Sequence, residues 1–183
     1  MTIVRTFLLV LCLSTVSLAQ GPPVTPLTLP AGSPAGEITG NIAEGQKMSL
    51  DWAAQSSVAA FPGTRFEMFD GNHVLYRVNL PAASEITITL TPENGKLINL
   101  YALRQGVNET ASPPNISTAI SAEASYPRYA NLGAGKTVSN PDNGVRKVQL
   151  MSIDRPYSIL IGVAGAQGLT EGVYKLHVQI DGR

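Results

Sequence analysis

HVLYRVNLPAASEITITL, residues 73–90, is the stretch that decides the fold. Val74, Tyr76 and Val78 alternate with Leu75, Arg77 and Asn79. Beyond Pro81-Ala82-Ala83-Ser84, Ile86, Ile88 and Leu90 alternate with Thr87 and Thr89. Successive side chains leave a β-strand on opposite faces, so an alternation of period two, rich in β-branched and aromatic residues, reads as two strands joined by a turn. No stretch of the chain carries a sustained helical period with caps, and the expected class is all-β.

Working outward, further strands are expected at 47–52 (KMSLDW), 97–103 (LINLYAL), 145–151 (VRKVQLM), 157–164 (YSILIGVA) and 173–180 (VYKLHVQI), with one more within 117–125. The 97–103 run is almost wholly apolar and is expected at the centre of a sheet. Asp70-Gly71-Asn72, Pro92-Glu93-Asn94-Gly95 and Pro141-Asp142-Asn143-Gly144 are turn sequences, in the last two with Pro suited to the first central position and Gly to a positive φ. Residues 20–36, rich in Pro, Gly, Ser and Thr, read as an extended arm or linker, and 37–183 as one antiparallel β-sandwich.

The first 19 residues carry Arg5, an apolar run from Phe7 to Leu13 and the small-x-small site Ser17-Leu18-Ala19. This is the pattern of a secretory signal peptide cleaved near Ala19-Gln20, and it places the mature chain outside the cell or in a periplasm. The apolar run is too short to span a bilayer, and no later segment is long enough either. Cleavage removes the single cysteine, Cys12, and one cation, leaving twelve Lys and Arg against thirteen Asp and Glu, a formal charge of −1. Without a disulfide, stability must come from packing. A near-neutral chain with no basic run excludes nucleic acid as the expected partner.

Ala130 to Thr137 (ANLGAGKT) imitates a phosphate-binding loop. That loop needs a buried strand before it and a helix after it, whose N-terminal N–H groups hold the phosphate. YPRY before it is a poor strand, and Pro141 forbids the helix, so no nucleotide is expected. Neither histidine, His73 or His177, has a second ligand at metal-binding spacing, and no Gly-x-Ser-x-Gly elbow occurs. Calcium candidates are Asp70 with Asn72 and Asp142 with Asn143. Each pair offers one carboxylate where calcium takes six to eight oxygens, so no cofactor is expected and calcium is kept only as a weak alternative. Asn108-Glu109-Thr110 and Asn115-Ile116-Ser117 match the glycosylation acceptor pattern. Tyr126 and Tyr129, flanking Pro127-Arg128, form the one aromatic and basic cluster in a polar region. Tyr126, Arg128 and Tyr129 are therefore the expected ligand-binding residues.

The series HVLYRVNLPAASEITITL (73–90), INLYALRQG (98–106), YSILIGVAG (157–165) and YKLHVQI (174–180) resembles the bacterial pre-peptidase C-terminal domain family. The resemblance covers roughly 35–181. It implies a jelly-roll-like, non-catalytic β-sandwich, usually appended to secreted peptidases and sometimes binding collagen or another polymer. The family commonly has an acidic residue before its Leu-Tyr pair, where Asn99 stands here, which weakens any family calcium or ligand site. No peptidase domain accompanies the sandwich, so a processing role in cis is not expected. Three functions remain open: a module binding an extracellular polymer or protein, an accessory subunit docked on a secreted enzyme, and a hydrolase with an unrecognised site. Clustered exposed aromatics would favour the first, a broad exposed apolar patch the second, and a cleft joining a histidine to a carboxylate and a serine the third.

Overall fold

The two strands of the opening stretch lie in different sheets. In the computed structural model, which describes residues 21–54, 65–116, 119–127 and 142–183, the strands are β1 (Val24–Pro26), β2 (Ala35–Asn41), β3 (His73–Leu80), β4 (Ser84–Pro92), β5 (Ile98–Gly106), β6 (Ser121–Ser125), β7 (Arg146–Ser152), β8 (Tyr157–Gly165) and β9 (Val173–Gly182). One sheet has the order β1-β3-β8-β5-β6 and the other β2-β9-β4-β7. Counted from β2, the sheets hold the first, eighth, third and sixth strands and the second, seventh, fourth and fifth. This is the jelly roll of two nested Greek keys. All pairings are antiparallel except that of β1, which runs parallel to β3.

The alternation of period two supplies the core. Tyr76, Val78, Leu80, Ile86, Ile88, Leu90, Leu100, Ile159, Ile161, Leu176 and Val178 pack between the sheets. The five-stranded sheet is also buried on its outer face, where Leu75, Tyr101, Leu103 and Leu160 meet Trp52, Met68, Phe69 and Ile116. That is why β8 is buried along its whole length and why β5 reads as an apolar run.

The strand expected at 47–52 does not form. Ser49 Oγ accepts the Asp51 N–H and Leu50 O accepts from Ala53 and Ala54, turning the chain into a short helix, α1 (Asp51–Ala54). Its apolar alternation is real but serves another purpose, since Met48, Leu50 and Trp52 all cover the outer face of the five-stranded sheet. Residues 21–36 of the expected arm or linker pack as part of the sandwich. Val24–Pro26 pairs with Leu75–Arg77, Leu27 and Leu29 pack on the central core, and Ala35 already begins β2. The Pro92–Gly95 turn is centred two residues later than the proline suggested. Pro92 ends β4, and Asn94 (φ 54°) and Gly95 (φ 64°) are the central residues, closed by Lys96 N–H on Glu93 O. The 1–19 segment and Pro141 lie outside the described residues.

In each sheet one glycine lets a tyrosine ring from the next strand lie on the backbone. Gly162 pairs with Tyr101, and Gly40 with Tyr174. The Tyr174 hydroxyl then reaches the Tyr76 hydroxyl at 2.7 Å, a buried hydrogen bond between the two sheets. Removing one partner leaves the other hydroxyl buried and unpaired, whereas removing both leaves only apolar surface. Tyr174→Phe and Tyr76→Phe should each lower stability by about 1–2 kcal/mol, and the double variant by less than their sum. Additive losses in urea unfolding would show that the pair does not act as a unit.

Candidate functional site

Alternate connections of a jelly roll fall at opposite rims. At one rim lie the β2–β3, β4–β5, β6–β7 and β8–β9 connections, and here the structure builds a buried polar network. Arg146, almost fully buried, gives Nη1 and Nη2 to Asp142 Oδ1 (2.6 Å) and Oδ2 (2.9 Å) and Nε to Asn99 Oδ1 (3.0 Å). Asn99 Nδ2 donates to Met68 O at 2.8 Å. The fork-to-fork pair with Arg146 holds the Asp142 carboxyl below the usual carboxylate range. Asn99, in the position where the resemblance leads one to look for an acid, therefore joins the guanidinium to a backbone carbonyl. Asp142→Asn should cost about 2 kcal/mol, since it leaves a buried guanidinium facing an amide that can accept but carries no charge. The wild type should lose the charge-dependent part of this stabilisation, reduced by the solvent exposure of Asp142, as pH falls through the lowered Asp142 pKa. A variant as stable as wild type at pH 7 would show the pair to be dispensable.

The calcium candidates are engaged within the protein. Asp70 Oδ1 accepts from Gly168 N–H. Asn72 Nδ2 donates to Ile42 O, Gly45 O and Thr170 O, and Asn143 Oδ1 accepts from Val145 N–H. Among the described residues, no group of three or more His, Cys, Asp or Glu could hold a metal. Of the expected ligand residues, Tyr126 is half-buried and packs edge-on to Phe69 at 5.6 Å as part of the outer-face core. Arg128 and Tyr129 lie outside the described residues.

Both histidines are described. His73 is fully buried, with Nε2–H donating to Phe69 O at 2.7 Å. Nδ1 is left to accept from the Tyr101 hydroxyl at 3.1 Å. Burial pushes its pKa down to about 4, against the upward pull of the Phe69 carbonyl and of Asp70. His177 stands on the outer face of β9 between Glu37 and Thr89 of the flanking strands. Neither histidine hydrogen-bonds a serine or a carboxylate among the described residues.

The opposite rim, formed by the β3–β4, β5–β6 and β7–β8 connections, is different in kind. Among the described residues six large apolar side chains are exposed, and four of them, Val107, Ile120, Met151 and Ile153, lie here. Ile153 is the most open, at 78%. Tyr157 lies at the same rim and carries two guanidinium groups: Arg104 Cζ lies 4.8 Å and Arg155 Cζ 5.5 Å from its ring centroid. Arg104 ties the cluster together. Its Nη1 donates to Met151 O at 2.6 Å, and its carbonyl accepts from Ile120 N–H. Arg155 Nε donates to the Tyr157 hydroxyl at 3.1 Å. Beside them an open groove of about 520 Å³ is lined by Gly106, Val107, Asn108, Glu109, Ile120, Arg155, Pro156 and Tyr157. Sequence reasoning missed this surface, because its residues come from two separate connections, β5–β6 and β7–β8, and from the strands beside them. The only local signal was Arg-Pro-Tyr at 155–157, two residues after Ile153.

No helix among the described residues is long and apolar enough to cross a membrane. No family model and no curated protein matches the chain. Among solved structures it is similar to a periplasmic inhibitor of g-type lysozyme, PliG, from Aeromonas hydrophila, at 13% identity over 86% of this chain and 96% of that one, with a TM-score of 0.47. It is also similar to the pre-peptidase C-terminal domain of a collagenase from Bacillus anthracis, at 10% identity over 90% and 100%, with a TM-score of 0.42. A third is CorA, a surface-associated copper-binding protein of Methylomicrobium album BG8, at 11% identity over 89% and 99%, with a TM-score of 0.42. The family that the sequence resembles is thus among these neighbours. The likeness carries no inference about activity or partner, and the β-sandwich stands on the chain's own strand pairing.

Proposed function

We propose that this chain is an exported, non-catalytic β-sandwich that docks onto another extracellular or periplasmic protein through the Tyr157 rim. The observation that carries this reading is one rim that exposes Val107, Ile120, Met151 and Ile153 and holds an arginine–tyrosine centre, with Val107 and Ile120 lining the groove beside it. Arginine and tyrosine flanked by aliphatic surface is the composition of interface hot spots, and an exposed apolar cluster of this kind is unusual on a surface with nothing to cover it. A polysaccharide platform is less well supported. Stacking on sugar rings needs exposed aromatic faces, and Tyr157 is nearly buried beneath its two arginines. Catalysis is disfavoured by the histidines, one sealed in the outer-face core and the other on an open sheet face.

Site-specific photo-crosslinking in the source cells tests this reading. A crosslinker at position 153 or 120 should yield a discrete adduct with a second protein, and one at position 89, on the outward face of β4, should not. Equal adducts at all three positions, or none, would sink it. Export is tested separately, since the mature chain should begin at Gln20.

A further inference from the structure

The Tyr157 rim also indicates the chemistry of what it binds. Two guanidinium groups converge on one ring, so their charged carbons stand within about 10 Å of each other. Two cations this near one another raise the local positive potential, which favours an anion at the groove. No side chain of this chain plays that part among the described residues, where the ion pairs are Arg65–Glu67 and Arg146–Asp142. The nearby carboxylates have other duties. Glu109 Oε1 caps the Thr110 and Ala111 N–H groups, and Glu85 accepts from Gln149. Asp154 is close enough for its charge to be felt by Arg155 but forms no ion pair with it.

The donors left over are well suited to a carboxylate. Arg155 uses only Nε within the protein, so both terminal nitrogens are open to the groove it lines. A planar fork with its terminal nitrogens open matches the two oxygens of a carboxylate. The groove's walls include the aliphatic Val107 and Ile120 together with Asn108 and Glu109, and the exposed Ile153 stands two residues before Arg155.

We infer that the occupant of this groove is an acidic segment of the partner protein, an Asp or Glu flanked by aliphatic side chains. The carboxylate lies on Arg155 beside Arg104, and the aliphatic neighbours cover Ile120, Val107 and Ile153. This inference rests on the docking reading above and adds the ligand class.

The test selects random displayed peptides on the mature chain, with the Arg155→Gln variant as counter-target. Sedimentation with insoluble peptidoglycan, cellulose and chitin runs in parallel. Arg155 and Ile153 are surface side chains, so Arg155→Gln and Ile153→Asp should melt close to wild type, and a melt of each confirms it. Recovered peptides are expected to share an Asp or Glu next to Leu, Ile or Val. Synthetic copies should bind at least tenfold more weakly to Arg155→Gln and to Ile153→Asp. They should lose as much when their own acid becomes the amide, and should weaken as salt rises. Peptides that lack a carboxylate, or that bind Arg155→Gln as tightly as wild type, overturn the acidic ligand. If Ile153→Asp still abolishes their binding, the docking surface stands. Retention on a polymer, lost in Ile153→Asp, keeps the surface and replaces the protein segment with a polysaccharide. Neither peptide nor polymer bound overturns both readings.

Discussion

Gly162→Ala should destabilise the protein by about 4 kcal/mol, more than any other single methyl group added to a glycine that faces a side chain. A β-carbon on Gly162 would stand 1.9 Å from Tyr101 Cζ and within 2.4 Å of both adjacent ring carbons. The ring has nowhere to go. Tyr101 is fully buried, with Trp52 at 6.2 Å, Phe69 at 5.9 Å and His73 at 5.9 Å between ring centroids. Displacing it gives up its hydrogen bond to His73 and disturbs the outer-face core. The expected loss therefore approaches that of truncating the ring itself, about 3–5 kcal/mol. Tyr101→Ala should be comparably destabilising alone, and in its presence Gly162→Ala should add little, a coupling of at least about 2 kcal/mol. Gly106→Ala is the control, because its β-carbon meets open space, and it should stay within about 0.5 kcal/mol of wild type. Urea unfolding of the four variants decides it. A Gly162→Ala protein within 1 kcal/mol of wild type would mean that Tyr101 does not rest on β8.

The second large effect is a loss of stability in mild acid. His73 is neutral in the fold, with a pKa near 4 against 6.5 for the free side chain. Between those values the unfolded chain binds a proton that the folded chain refuses, so stability falls as pH drops from 6.5 towards 4. The full interval amounts to about 3 kcal/mol at 1.36 kcal/mol per pH unit. Above pH 6.5 the contribution is wholly present. Denaturant midpoints measured from pH 7 to 4.5 should decline with a slope near one proton, and in His73→Gln that slope should largely disappear. The Asp142 pair adds its own loss only at lower pH, so the two steps are separable. A wild-type midpoint constant over this interval would show that His73 is more open to water than its burial implies.

Both effects come from tertiary neighbours that lie far apart in the chain, and this divides what was legible from what was not. Strands β3, β4, β5, β7, β8 and β9 were legible because alternation is a local property, read over five to nine residues. The short β2 was not, since Gly36 and Gly40 interrupt its alternation. Gly40 is there to receive the Tyr174 ring, and that reason exists only once β9 lies beside it. At 47–52 the alternation was read as a strand, but the segment turns into α1 and its apolar residues cover the outer face of the five-stranded sheet. Tyr126 resembled a ligand residue for want of any local sign that Phe69 would meet it.

From the sequence alone came the all-β class, most of its strands, and the expectations of export and of no nucleotide at 130–137. Each rests on residues close together in the chain, where periodicity, turn chemistry and segment length act directly. The tertiary structure alone decided that His73 is sealed and neutral and that Asn99 bridges Met68 and Arg146. It also brought Arg104, Ile120, Met151, Ile153 and Tyr157 to one rim. Burial and charge proximity are properties of the folded surface. A jelly roll joins residues some fifty positions apart at each rim, and no window along the chain contains both partners.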